Sequence, residues 1–158
     1  EGTTAIQAAD LVGRKIGRDG GRALAELVAD MRGSATALAI EADPALGVIG
    51  RCLQASLDDL EAALGTLLGK LEAAPGEALA VAVPFLKLLG TTLGGWYLGR
   101  SARIARDALA QGSSDPFYRT KIVTAKFYAD HLLSQTAWLR QVVAADNSLL
   151  LGLGDAAV

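Results

Sequence analysis

Apolar residues recur at intervals of three and four along most of the chain, the spacing that gathers side chains on one face of an α-helix. The most regular stripe runs through Leu46, Ile49, Leu53, Leu57, Leu60, Leu64, Leu67 and Leu71, while Gln54, Asp58, Glu61 and Glu72 fall outside it. Asp43-Pro44 predicts its start, because Asp accepts from free backbone N–H groups and Pro lacks the donor that the first turn cannot use. A second stripe links Tyr118, Ile122, Ala125, Ala129, Leu132, Thr136, Leu139 and Val143, with Phe127 and Trp138 near its border. It begins at another Asp-Pro pair, Asp115-Pro116, and ends at Asp146-Asn147-Ser148. Leu149 to Leu153 are expected to dock as a short turn and Asp155 to Val158 to fray.

Between these stripes, Glu77 to Gln111 is apolar on nearly every side and predicts a helix surrounded by other helices. Gly90, Gly94, Gly95 and Gly99 lower its intrinsic helicity, so packing must hold it and a neighbour should come close over them. Pro84 predicts a kink or restart. Ala73-Ala74-Pro75-Gly76 reads as a turn and Gly112 as a C-terminal cap. Upstream, Thr3 or Thr4 is expected to cap a helix carrying Ile6, Ala9 and Val12. Asp19 before Gly20-Gly21 predicts a second start, followed by Leu24, Leu27, Val28, Met31, Ala35 and Leu38. Met31 reads as core filling. No stretch alternates with the period of a strand. The expected fold is all-α: an antiparallel bundle of about four helices, the first one broken.

Composition narrows the chemistry. Of 158 residues, 51% are apolar, enough for a real core. A net charge of −2 gives no electrostatic case for nucleic acid. Cys52, the single cysteine, cannot form an internal disulfide and reads as a small buried hydrophobe. Cys52 and His131 are a poor basis for a catalytic pair, His131 reads as structural, and no metal site is expected. Lys87 interrupts the central apolar run, so no membrane span is expected. Arg100, Arg103 and Arg106 read as a solvated face, with an anion site as the alternative, and the adjacent Asp58 and Asp59 also read as solvated. No secretion signal is evident, which favours a reducing cytoplasm. The chain opens without Met and already inside a motif, and so reads as a piece of something longer.

That motif carries a resemblance. Glu1-Gly2-Thr3-Thr4, followed by Ile6-Gln7, resembles the Glu-Gly-Thr-(Ser/Thr)-x-Ile-Gln signature of the flavin-dependent acyl-CoA dehydrogenases. The opening IQAADLVGRK, then DGG, with the later blocks GGWYLGRSA and DPFYRTKIVTAKFYADHLL, resembles the large bacterial branch with an additional C-terminal helical domain. Residues 1–42 would then be the tail end of the dehydrogenase's own C-terminal helical domain, and 43–158 the accessory bundle. The resemblance implies that Glu1 is the catalytic base, taking the α-proton of an acyl-CoA thioester whose carbonyl is held by the Glu1 backbone N–H and a flavin hydroxyl. Gly2 would line the substrate site, and Thr3, Thr4 and Ala5 would lie along the flavin. Arg14-Lys15 is displaced by one position from the family's Arg-Glu pair, so no role passes to Arg14. FAD is implied for the intact parent and is not expected in this piece alone. An electron-transfer flavoprotein partner and a homo-oligomer are also implied. The alternative is a non-catalytic helical interaction or oligomerisation module.

Overall fold

The computed structural model describes residues 3–152. Glu1 and Gly2, and the stretch expected to fray, lie outside the described residues. The chain begins with α1 (Thr4–Ala9), a π-helical stretch (Asp10–Ile16) and the single turn α2 (Gly17–Asp19). Gly20 and Gly21, with φ of 64° and 78°, turn it left-handed into α3 (Arg22–Ala39). Asp19 accepts from the N–H groups of Gly21 and Ala23, so the expected second start is made by this carboxylate. Helices α4 (Pro44–Ala73), α5 (Pro75–Ala80), α6 (Ala82–Ala110) and α7 (Pro116–His131) follow. A 3₁₀ turn (Leu133–Gln135), α8 (Thr136–Ala144) and α9 (Ser148–Gly152) complete the order, and no strand occurs among the described residues.

The capping signals operate as expected. Asp43 accepts from the N–H groups of Ala45 and Leu46, and Asp115 from that of Phe117. Gly112, at φ 92°, closes α6, with its own N–H bonded to the Leu109 carbonyl and that of Ser113 to Ala108. The central helix restarts at Ala82, which puts Pro84 in the first turn, where its missing donor leaves no bond unmade. At the N-terminus, by contrast, the Thr3 side chain makes no capping bond.

Cross-helix contacts define the topology. The end of α3 meets the start of α4 at Ala39 and Gly50, and its beginning meets Leu64 and Leu68, so the two run antiparallel. Ile49 lies beside Gly99 while Ser56 bonds Thr92, so α4 and α6 are antiparallel as well. Tyr128 packs on Gly94 and donates to the Thr91 carbonyl, while Phe117, Tyr118 and Ile104 share the far end, giving a third antiparallel pair, α6 and α7. The fold is the expected helical bundle with a broken first helix.

The leucine seam of α4 forms the middle of the core: Leu46, Ile49, Leu53, Leu57, Leu60 and Leu67 are fully buried. The core continues without interruption into Ala8, Val12 and Ile16 before α3, so the described part of residues 1–42 packs on the later helices. One polar clasp crosses it. Thr92 donates to the Leu88 carbonyl, so its oxygen accepts from the Ser56 hydroxyl, 2.8 Å away. Both hydroxyls are thereby satisfied inside the core.

Three sequence expectations change. Helix α6 is not surrounded: Val83, Tyr97 and Ile104 are exposed, and Gly90 faces open space. Gly94, Gly95 and Gly99 receive the side chains of Tyr128, Leu133 and Leu38, respectively. In the first segment Ile6 is exposed and Ala8 is buried, because the inward face runs through Ala8, Val12 and Ile16 at intervals of four as the π-helical stretch widens the turn. The last long helix divides after His131, and the 3₁₀ turn rotates Leu133 inward against Gly95, leaving Leu132 only partly buried.

Candidate functional site

Glu1 and Gly2 lie outside the described residues. Thr3, Thr4 and Ala5 are brought together at the start of α1, and all three are exposed, as are Ile6 and Gln7. The Thr3 carbonyl accepts from the Gln7 N–H at 2.9 Å, which sets the first turn. Ala8 and Val12 fix this helix to the core. Two hydroxyls and a methyl group are thus exposed at successive positions, about 100° apart around the start of the helix.

Farther along this segment, from Arg14, the surface becomes basic. Arg14 donates to Asp10 from two guanidinium nitrogens, one of them 2.8 Å from its acceptor, and this ion pair holds the Asp10 carboxyl below its usual range. Lys15 is 3.9 Å from the same carboxylate. Arg14, Lys15, Arg18, Asp19 and Arg22 line one open groove of about 600 Å³. The carboxyl of Asp19 is also held low, chiefly by the Ala23 N–H that it accepts. The sequence reading missed this groove; its signal was the spacing of Arg14, Arg18 and Arg22 at intervals of four.

The other residues considered for chemistry lie on later elements. Arg103 and Arg106 are not simply solvated: both meet Glu41, Arg106 at 3.0 Å, and so tie α6 to the turn before α4. Arg100 lies over the Trp96 ring. Asp59, expected to be solvated, anchors α8, accepting from Thr136 and Arg140 at 2.9 Å each. Asp58 instead accepts from Arg32 on α3. Cys52 is half-buried, and burial pushes its thiol up, away from the reactive thiolate. His131 is exposed and stacks on Phe127 with ring centroids 4.4 Å apart. Met31 is fully buried. Among the described residues, no group of His, Cys, Asp and Glu could hold a metal ion, and no helix is long and apolar enough to cross a membrane.

Comparison with known proteins finds a family model, described as acetyl-CoA dehydrogenase C-terminal like, that matches residues 23–153. The chain is 37% identical over 158 residues to 3-methylmercaptopropionyl-CoA dehydrogenase of Ruegeria pomeroyi, an alignment covering 98% of this chain and 25% of that protein. It is 32% identical over 166 residues to the broad-specificity linear acyl-CoA dehydrogenase FadE5 of Mycobacterium tuberculosis, covering 99% of this chain and 27% of the relative. The chain thus spans about a quarter of the length of the curated relatives it matches.

Proposed function

Because the chain belongs to the acetyl-CoA dehydrogenase C-terminal-like family, we propose that it is the C-terminal portion of an FAD-dependent acyl-CoA dehydrogenase. The carrying observation is the likeness to two such dehydrogenases along essentially its whole length. The reaction is oxidation of an acyl-CoA to a trans-2-enoyl-CoA. The Glu1 carboxylate takes the proton from the α-carbon, and the Glu1 backbone N–H polarises the thioester carbonyl so that this proton becomes acidic. Gly2 leaves room for the acyl chain beside it.

FAD, when bound, takes up the hydride equivalent released from the β-carbon. Thr3 and Thr4, both exposed, offer hydroxyls to the edge of such a group, and Ala5 a small apolar contact. Other walls of the flavin and acyl-CoA sites belong to the longer protein, so the isolated chain should neither retain FAD nor turn over substrate. Residues 1–42 belong to the dehydrogenase's own helical domain and 43–158 form its accessory bundle. The parent is a cytoplasmic homo-oligomer that passes electrons to an electron-transfer flavoprotein.

The test is Glu1→Gln in the longer enzyme, followed by flavin bleaching at saturating acyl-CoA without oxygen. The variant should keep its FAD and lose on the order of 10²–10⁴ in rate, since Gln cannot accept the α-proton. Bleaching at the parental rate would assign the base elsewhere. A second role for residues 43–158, docking within the assembled protein, is favoured by their exposed Ile104, Phe117, Phe127 and Trp138. Light scattering before and after their substitution by polar residues tests that role.

A further inference from the structure

We propose that the outer face of α6 pairs with the same face of a second copy of the chain, the two helices running antiparallel about a twofold axis. The inference rests on the docking role given above to residues 43–158, names its site and its partner, and needs nothing from the dehydrogenase chemistry.

The face is an exposed heptad. Val83, Gly90, Tyr97 and Ile104 stand seven residues apart on one uninterrupted helix. All four are exposed, the three large ones at 41%, 58% and 67%. A seven-residue step returns to within about 20° of its starting direction, so the four form one stripe, about 32 Å long at helical rise. On a solvent-facing side of a helix, that repeat is the pattern that packs against another helix. Lys87, Gly94 and Ser101 border the stripe on one flank, and Leu86, Leu93 and Arg100 on the other. Lys87 leans over the Trp138 ring and Arg100 over the Trp96 ring, which draws both cations off the stripe.

The order of sizes along the stripe identifies the occupant. With a twofold axis between Leu93 and Gly94, Val83 meets Ile104 of the second copy, and Gly90 meets its Tyr97. Each pairing then occurs twice, as an interface between identical surfaces requires. Nothing lies within 4 Å of a Cβ placed at Gly90, so a tyrosine ring can rest directly on the backbone there. Such an axis also brings each flank against its own counterpart. Lys87 then faces Ser101, and Arg100 faces Leu86, so no like charges meet. An unrelated partner has no reason to match this order, whereas a second copy supplies it by symmetry.

The area suffices. Helix α7 borders the stripe, through Tyr128 at Gly94 and Lys121 beside Ile104. Two neighbouring helices about 10 Å apart, over about 32 Å, offer roughly 600 Å² from each copy. The total of roughly 1,200 Å² stands at the lower end of stable interfaces and implies a reversible dimer.

The test is sedimentation of the 158-residue chain over a range of concentrations up to millimolar. A monomer–dimer equilibrium is expected. Tyr97→Ser and Gly90→Leu should each weaken it by at least about tenfold, the scale of a central aromatic anchor. Gly90→Leu should meanwhile melt no lower than the parent at concentrations where both are monomers, because its side chain meets nothing in one copy and favours helix. Leu93→Cys in a Cys52→Ser background should be joined into a covalent dimer by a short bismaleimide, and Gly65→Cys, on the exposed side of α4, should not. A chain that stays monomeric at millimolar concentration overturns the proposal, as does a dimer indifferent to both Tyr97→Ser and Gly90→Leu. If Phe127→Ser dissociates the dimer while those two leave it intact, the docking role stands and this face is not its site. None of these outcomes touches the Glu1→Gln result.

Discussion

Gly50→Ala tests the closest approach in the fold. A Cβ built at Gly50 would lie 2.2 Å from the Ala39 nitrogen, 2.6 Å from its Cα and 2.7 Å from the Leu38 carbonyl carbon. All three are backbone atoms of α3 and its end, so no rotamer change can relieve the clash. Comfortable contact begins near 3.5 Å, so α3 and α4 must part by about 1 Å or more. Alanine by itself favours helix over glycine by roughly 1 kcal/mol. Overpacking costs about 1–3 kcal/mol, and rigid backbone places this site at the upper end. The net effect is destabilisation of about 1–2 kcal/mol. At about 2–4 °C per kcal/mol for a domain of this size, the melting temperature should fall by about 2–8 °C. Gly65 and Gly69 lie on the same helix, exposed, with nothing near their missing Cβ. Alanine at either should raise the melting temperature, by up to about 1 kcal/mol of stability. Thermal circular dichroism of Gly50→Ala, Gly65→Ala and the double variant gives the answer, and the two effects should add. If Gly50→Ala melts as high as Gly65→Ala, the contact between α3 and α4 is not as described.

Other expectations follow from single contacts. Gly94→Leu should destabilise by about 1–3 kcal/mol, because a Cβ there already meets the Tyr128 hydroxyl; a chemical denaturation midpoint equal to the parent's would refute this. Asp59 and Arg140 should show a favourable coupling of about 1 kcal/mol in a double-mutant cycle with Asn and Gln, since Asp59 is mostly buried and holds α8 to α4; additive effects would remove its anchoring role. Asp19 has a lowered folded pKa, so its cap on α3 is fully present above the unfolded carboxyl value near 3.8 and is lost as pH falls through the lower folded value. Acid unfolding of Asp19→Asn should therefore be less steep below about pH 4 than that of the parent, and identical acid profiles would rule the cap out.

The sequence by itself determined the helices and much of the inward face. Periodicity along α4 and the two Asp-Pro starts are local properties, legible because a helix's face and its first turn depend only on neighbours three or four residues away. The Glu-Gly-Thr motif was legible for a similar reason, being a contiguous string, and it pointed to the family whose model matches residues 23–153. Tertiary structure decided what lies across each helix. Gly50 looks like Gly65 in the sequence, yet one touches backbone and the other touches nothing. Asp58 and Asp59 are adjacent, yet a step of about 100° around α4 sends one to Arg32 and the other to Arg140. Ser56 and Thr92 are 36 positions apart, and only the crossing of α4 with α6 turns two hydroxyls into a buried clasp. The basic groove needed both sources: its arginines repeat along the sequence, but a charge is free or spent according to which carboxylates and backbone donors the folded chain places beside it.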